Sequence, residues 1–484
     1  MLLRLLYDDQ LAQASYLVGC QSTGEALVID PNRDVKKYIA LAGREGLRIS
    51  AVTETHIHAD YLSGARELAH RTGAKLYLSD EGTDDWKYEF GEAAGAELIR
   101  DGDRFWVGNI SLDVLHTPGH TPEHLSFIMS DNRAADRPMG IFTGDFVFVG
   151  DVGRPDLLET AAGMAGTMAA GARQLFQSLQ RFKELPDYLQ FWPCHGAGSP
   201  CGKALGAVPQ STVGYEKFFN WALNVEDESE FVATVLEGQP EPPTYFKEMK
   251  RLNRVGPPLL EDAPRPERLA VEQIDAALEQ GTTVIDLRPA DAFAAGHIPG
   301  TINIPYSRAY LTWAGWLVSH DRPFALIVDE SNVSQTVADF QLIGLDDVAG
   351  YWTPDSIKGW RQAQPGRELQ AYGCAEIDEV DAALQDGSAT VIDVRGAADY
   401  AEGHLPGAVH VTMGHIPSRI SEISAGKPLI VHCQSGARSA IAAGLLQSLG
   451  RPDVRNFQGS YDAWVKAGKP VEAGAASRES VTAD

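Results

Sequence analysis

The sequence predicts an α/β protein of about three domains, the last two related by duplication, and three observations carry that expectation. The first is a repeat. Val284-Ile-Asp-Leu-Arg288 running on to Gly296-His-Ile-Pro-Gly300 returns 107 residues later as Val391-Ile-Asp-Val-Arg395 running on to Gly403-His-Leu-Pro-Gly407, and a constant offset marks a copied unit. The second is alternation: short Val/Ile-rich runs trade places with helical patterns such as Val271 to Leu278 and Ser439 to Leu449, which predicts a parallel sheet in each repeat. The third is length, because 484 residues at roughly 150 per domain leave room for one more domain ahead of the repeats.

In chain order, the front domain is expected over 1–245. Its strands are predicted at Glu25 to Asp30, Ile49 to Thr55, Ser111 to Leu115, Leu125 to Met129, Gly140 to Thr143 and Tyr188 to Trp192. Proline-rich sequence between Gly238 and Glu267 interrupts any regular period and sets the first boundary. The first repeat is expected over 268–365, a break follows from Gln364 to Gly373, and the second repeat is expected over 374–472. The remaining 473–484 is small and polar, a composition that favours disorder.

Composition narrows the setting. Met1-Leu-Leu-Arg-Leu-Leu-Tyr-Asp-Asp9 is too short an apolar run for a leader peptide, and no stretch reaches the ~18 apolar residues of a membrane span; a cytoplasmic protein is expected. Five cysteines, Cys20, Cys194, Cys201, Cys374 and Cys433, argue for reduced thiols and against a disulfide framework. A formal charge of -25 without a basic block disfavours nucleic acid and anionic membrane as partners.

Four separated pieces of the front domain carry metal-ligand residue types: Thr55-His56-Ile-His58-Ala-Asp60-Tyr61, Thr117-Pro-Gly-His120-Thr121, Thr143-Gly-Asp145 and Pro193-Cys-His195-Gly. Each follows a predicted strand. Over about residues 1 to 240 the chain resembles the metallo-β-lactamase superfold, which implies an αββα sandwich with metals at the strand ends. In the two-zinc hydrolases of that superfamily, glyoxalase II included, the first motif ends Asp-His; here Tyr61 stands in the second place, and a phenol near pKa ~10 is a poor zinc ligand. The resemblance is therefore to the mononuclear persulfide dioxygenases, and it implies one Fe(II) held by His56, His120 and Asp145, with His58, Asp60, Tyr61 and His195 orienting the ligands or bound water. Two imidazoles and one carboxylate are also the donor set suited to non-haem Fe(II).

Arg154, in Gly150-Asp-Val-Gly-Arg154-Pro-Asp156, is read as a fork for a substrate carboxylate or as half of a structural pair with Asp156. Thr121 is a candidate substrate contact. Cys201 lies in the glycine-rich loop after His195, with six residues between it and Cys194; each thiol is read as a packed residue or as a sulfur relay. His70, His116 and His124 are expected to be ordinary helix or strand residues.

In the second repeat, Leu429-Ile-Val-His-Cys433-Gln434-Ser435-Gly436-Ala437-Arg438 runs from a buried-strand pattern into a small-residue loop followed by a helix. Successive backbone N–H groups of such a loop, with the helix N-terminus, lower a thiol pKa and hold an anion. Arg438 comes five positions after Cys433, one fewer than a phosphatase loop has, and the smaller loop fits sulfur. Residues about 376 to 472 resemble a rhodanese domain, which implies transfer of sulfane sulfur through Cys433-S-SH, with Gln434, Ser435, Gly436, Ala437 and Arg438 around it. The first repeat resembles the same fold without its nucleophile: aligning Leu326-Ile-Val-Asp-Glu330 with Leu429 to Cys433 puts Glu330 at the cysteine, Val333 at the glycine and Gln335 at the arginine. His297 and His404 are expected to hold turns.

The whole chain resembles the persulfide dioxygenase-rhodanese fusions of bacterial sulfide detoxification, of the CstB-like type with a degenerate central rhodanese. That resemblance implies a small-molecule persulfide of glutathione or another thiol, O2 and sulfite as reactants, thiosulfate as product, and a homo-oligomer. Two other classes stay open: a glyoxalase II-like thioester hydrolase fused to a sulfurtransferase, which Tyr61 opposes, and a scaffold whose rhodanese domains only bind partners, which the intact Cys433 loop opposes.

Overall fold

The computed structural model describes residues 1–157, 167–203, 205–260 and 265–474. The chain divides into two compact units, Met1–Ala263 with Ala338–Gly344, and Pro264–Val337 with Leu345–Asp484. The segment 475–484 of the expected disordered tail lies outside the described residues. Among the described residues no helix is long and apolar enough to cross a membrane.

The first unit is built on two six-stranded sheets. One runs, in spatial order, Leu2–Asp8, Gln13–Cys20, Glu25–Ile29, Arg48–Thr53, Lys75–Ser79 and Glu97–Ile99; the other runs Ser211–Thr212, Gln190–Pro193, Gly140–Gly144, Leu125–Asp131, Ile110–His116 and Arg104–Val107. Successive side chains of a strand point to opposite faces, and here the alternation sorts them between cores. Tyr16, Val18, Leu27 and Ile29 join Leu112, Val114, Phe127, Phe142 and Trp192 in one cluster. Their chain neighbours Leu17, Ala26 and Val28 join Tyr38 and Leu68 from the helices Val35–Arg44 and Ala65–Thr72. On the second sheet, Ile141 and Phe191 join Leu175, Leu179 and Phe182 of the helix Met168–Lys183. Central strands buried on both faces read as nearly continuous apolar runs, and each buried Leu, Ile or Phe contributes about 1.5–3 kcal/mol. The result is an αββα sandwich. The opening hairpin is not among the strands the sequence predicts: Leu2–Asp8 pairs antiparallel with Gln13–Cys20, but as an edge strand it alternates only weakly between buried and exposed positions.

The second unit holds two parallel sheets, Ile302–Asn303, Thr283–Asp286, Phe324–Ile327 and Val348–Trp352 in one, and Gly373–Cys374, Val454–Asn456, Leu429–His432, Thr390–Asp393 and Val409–His410 in the other. The two ladders correct the alignment of the repeats. Thr283 pairs with Phe324 and Asp286 with Ile327, while Thr390 pairs with Leu429 and Asp393 with His432. The Leu287 N–H donates to the Ile327 carbonyl as the Val394 N–H donates to that of His432. Val328, therefore, and not Glu330, stands where Cys433 stands. The first repeat also has one more residue before its helix, which begins at Val333 where the second begins at Ala437, so Gln335 is not the counterpart of Arg438. Phe324-Ala-Leu-Ile-Val328 is apolar throughout, and a slip of two residues keeps every side chain on its own face; hydrophobic pattern alone could not detect it.

Candidate metal centre and sulfur-transfer loop

Strand ends bring the four metal-type pieces of the first unit together. His56, His120 and Asp145 each place one donor atom within 4.8 Å of the other two, and all are buried. His56 Nε2 is 3.8 Å and His120 Nε2 3.5 Å from Asp145 Oδ2. The opposite nitrogens are tethered: His56 Nδ1 lies 2.9 Å from Thr55 Oγ1, and His120 Nδ1 2.9 Å from the Arg154 carbonyl. Such outer partners fix ring orientation and tautomer. Burial, with neighbouring histidines, holds His56 well below the ordinary imidazole range, and burial lowers His120 too, so both rings are neutral, as metal ligation requires. Among the described residues His56 Nε2 and both Asp145 carboxylate oxygens are buried without a hydrogen-bond partner. The orphaned His56 nitrogen and the orphaned Asp145 Oδ2, which faces both rings, fit a divalent cation.

His58 turns elsewhere. Its Nε2 is 3.2 Å from Asp30 Oδ1, and although burial lowers its pKa, the hydrogen bond and charge of Asp30 outweigh this and raise it to about 9. With Nε2 on Asp30 the ring stands outside the His56–His120–Asp145 group, and its Nδ1 is buried without a hydrogen-bond partner among the described residues. Tyr61 donates its hydroxyl to the Asp30 carbonyl, and burial pushes the phenol well above its usual range, so it too stays outside the donor set. His195 Nε2 lies 3.2 Å from Asp60 Oδ2 and 3.4 Å from Asp145 Oδ1, with Nδ1 on the Ala12 carbonyl.

Arg154 is 1% exposed, its fork closed on Asp156 at 2.8 and 2.6 Å and its remaining amino group on the Pro200 carbonyl. Its guanidinium is thus in a buried pair, while its carbonyl holds His120. Thr121 is buried next to His120. Cys194 and Cys201 are both buried, and burial first, then nearby carboxylates, pushes both thiols well above their ordinary range.

Two residues the sequence reading missed hold this site. Asp30, at φ 51, accepts the Thr55 N–H at 2.6 Å and so fixes the start of the first motif. His124, expected to be ordinary, accepts the Asp145 N–H on Nε2 at 3.1 Å and meets Thr117 Oγ1 at 2.8 Å. Gly144 makes that approach possible, for at φ +51 a Cβ would come within 2.6 Å of His124 Nε2. The spacing His120-X3-His124 was visible; that one ring would serve the backbone of Asp145 was not.

In the second unit the Gly436 N–H donates to Cys433 Sγ at 3.1 Å, and Ser439 Oγ lies 3.6 Å from the same sulfur. Burial raises the thiol's pKa, yet the hydrogen bonds from Ser439 and Gly436 and the charge of Arg438 outweigh it and lower the pKa below its ordinary value. Gly436 sits at φ +104, where a Cβ would meet the Gln458 carbonyl at 2.2 Å, so only glycine allows the amide to face sulfur. Ser460, which no sequence pattern marks, accepts the Cys433 N–H at 3.1 Å. Arg395 clamps Asp393 and the Gly403 carbonyl and reaches Gln434 Oε1 at 3.2 Å. Arg438 pairs with Asp399 at 3.4 Å. Ser435 and Ala437 complete the loop.

In the first repeat, Glu330 is 53% exposed and accepts from the Tyr351 hydroxyl and Arg265. Val328 is buried.

The Metallo-beta-lactamase superfamily model matches residues 8–195, and the Rhodanese-like domain model matches 270–363 and 376–467. A crystal structure of a metallo-beta-lactamase from Staphylococcus aureus subsp. aureus COL is 44% identical, with a TM-score of 0.66, covering 73% of this chain and 99% of that one. The mitochondrial persulfide dioxygenase ETHE1 of Bos taurus is 29% identical over 166 residues, 34% of this chain and 59% of that protein. The hydroxyacylglutathione hydrolase of Nitrosococcus oceani is 38% identical over 136 residues, 28% of this chain and 47% of that protein. The chain belongs to the metallo-beta-lactamase superfamily, with two rhodanese-like domains behind its metallo-beta-lactamase domain.

Proposed function

We propose that the front domain oxidises the terminal sulfur of a low-molecular-weight thiol persulfide to sulfite, and that Cys433 passes sulfane sulfur to sulfite. The first reaction is RSSH + O2 + H2O → RSH + SO3(2−) + 2H+. In the second, the sulfite lone pair forms a bond to the outer sulfur of Cys433-S-SH while the Cys433 S–S bond breaks; Cys433 thiolate, a proton and thiosulfate leave. The observation that supports the reading is the donor count: His56, His120 and Asp145 converge, while His58 is held by Asp30 and Tyr61 by a carbonyl. One Fe(II) in that triad would supply the open coordination positions and the redox chemistry of persulfide oxidation. Thr55, the Arg154 carbonyl and His124 keep the three donors aimed. At the other site, the Gly436 amide and Ser439 stabilise the anionic sulfur through which transfer is covalent. Glutathione persulfide or another thiol persulfide, O2 and sulfite are the proposed reactants, in a homo-oligomer in the cytoplasm, where thiols stay reduced.

The reading is tested with His120→Ala, which should lose iron and persulfide-dependent oxygen uptake together; full iron content with normal uptake overturns it. The thioester-hydrolase reading draws on the 38% identity to the hydroxyacylglutathione hydrolase. It requires two zinc ions in the front domain and thioester cleavage, and metal analysis of the purified chain separates the two.

A further inference from the structure

Arg395 makes more contacts than the clamping of a turn requires. Its Nε and Nη2 close on Asp393 and the Gly403 carbonyl, as those of Arg288 close on Asp286 and Gly296 in the first repeat. That leaves Nη1, which donates to Gln434 Oε1 at 3.2 Å. The same guanidinium lies over the Tyr461 ring, 4.1 Å from its centroid, a cation–π contact. Both partners adjoin the nucleophile. Gln434 follows Cys433 and donates through Nε2 to Asp462 Oδ1 at 2.6 Å, while the Tyr461 and Asp462 N–H groups donate to the Cys433 and Gln434 carbonyls at 3.1 and 3.0 Å. One buried side chain thus joins a strand end, a turn, the sulfur loop and the start of the helix Ser460–Lys466.

The copy without a cysteine lacks this third arm. Leu326 pairs with Tyr351 as Val431 pairs with Asn456, and the helices Asp355–Ala363 and Ser460–Lys466 begin at the same distance beyond those residues. Ser356 and Ile357 therefore stand where Tyr461 and Asp462 stand. Neither offers a ring to the arginine or a carboxylate to the loop. Among the described residues the hydrogen bonds of Arg288 end at Asp286 and Gly296, and its side chain is 16% exposed against 2% for Arg395. The clamp thus belongs to the fold, and the reach to Gln434 and Tyr461 belongs to the copy that bears the nucleophile. Resting on the sulfur transfer proposed above, we infer that Arg395 is a positioning residue for that reaction: through Gln434 and Tyr461 it holds the Cys433 loop so that the Gly436 amide faces sulfur. It acts through the loop and not on the sulfur. Small misplacement of a reacting group is costly, and a buried guanidinium deprived of a partner adds its own desolvation cost.

The experiment uses the full-length chain and follows two readouts. One is sulfur transfer to cyanide; the other is the pH midpoint at which iodoacetamide alkylates Cys433, read on its own peptide by mass spectrometry. Arg395→Lys keeps a positive charge beside Asp393 but has no fork to reach Gln434 as well, and Gln434→Leu removes the contact from the loop side with the clamp intact. Each should slow transfer roughly tenfold and move the alkylation midpoint to higher pH. The double variant should be no slower than the slower single, since both changes remove one shared contact. Arg288→Lys should leave both readouts at wild type. Losses that add in the double variant overturn the inference, as does a wild-type alkylation midpoint in Gln434→Leu or an equal effect of Arg288→Lys. Should Arg395→Lys fail to fold, the midpoint of Gln434→Leu against that of Arg288→Lys decides. A wild-type chain that transfers no sulfur contradicts the function proposed for Cys433, and the alkylation midpoints then judge Arg395 separately.

Discussion

The two rhodanese-like repeats share a frame and differ in one loop. In each, an aspartate at a strand end is clamped by the arginine two residues on, and the arginine also donates to a glycine carbonyl: Asp286 with Arg288 and Gly296, Asp393 with Arg395 and Gly403. In each, a histidine bonds the carbonyl of an aromatic residue four positions back and stacks on its ring at 3.8 Å, His297 on Phe293 and His404 on Tyr400. The loop after the third strand has diverged. One copy has Cys433 facing the Gly436 amide; the other has Val328 in a loop one residue longer, with no residue from 328 to 332 at positive φ. The frame secures the turn that every copy of the fold needs, while the loop bears only the chemistry and can be lost without unfolding the domain. The first repeat and the segment that follows it also pack against a helix of the second. A Cβ on Gly444, in the helix behind the Cys433 loop, would meet Phe293 at 2.8 Å, and the Tyr372 hydroxyl donates to the Ala440 carbonyl of that helix.

Gly436→Ala attacks the difference most strongly. The added Cβ strains a left-handed backbone by about 1–3 kcal/mol, so sulfur transfer to cyanide should fall roughly five- to a hundredfold with the secondary structure unchanged. An unaltered rate would mean that the amide cradle does not set this copy apart.

Acid should separate the repeats more gently. Burial pushes both clamped aspartates up; at Asp393 the charges of His432 and Arg395 outweigh it and hold the carboxyl below its usual range, whereas at Asp286 burial prevails and the pKa is raised. Asp393 therefore contributes stability that is present above the unfolded carboxylate value of about 3.9 and lost as pH falls through its lower folded value. Asp286 takes up its proton above that unfolded value, so the Arg288 clamp should open at higher pH than the Arg395 clamp. Hydrogen exchange by mass spectrometry, corrected for intrinsic rates, reads the two turns separately; opening at one common pH would contradict the assignment.

The smallest expected effect is a null. Val328→Cys in a Cys433→Ser background puts a thiol at the structurally equivalent position, and Glu330→Cys puts one at the position that sequence alignment suggests. Neither should transfer sulfur to cyanide above background, because the loop from Val328 to Asn332 has no glycine to turn a backbone amide toward the sulfur. Activity near wild type in either would show that the loop had kept its geometry.

These outcomes also mark what the sequence could convey. Strand-end placement of His56, His120 and Asp145 was legible because each piece follows a strand, and phenol acidity spoke against Tyr61 as a ligand, whose hydroxyl is on the Asp30 carbonyl. Asp30 and His124 were not legible: one acts on a motif 25 residues away, the other on a backbone amide 21 residues away, and neither distance leaves a local pattern. Arg154 offered two readings that only its bidentate contact with Asp156 distinguishes. The two-residue slip between the repeats escaped notice because both registers bury the same face.

The central claim is that oxidation and sulfur transfer reside in different units, with Cys433 the nucleophile of the second alone. Ion chromatography of the products that Cys433→Ser forms from a thiol persulfide under oxygen tests it most directly. Oxygen uptake near wild type with sulfite accumulating in place of thiosulfate is the predicted result, and undiminished thiosulfate would contradict it.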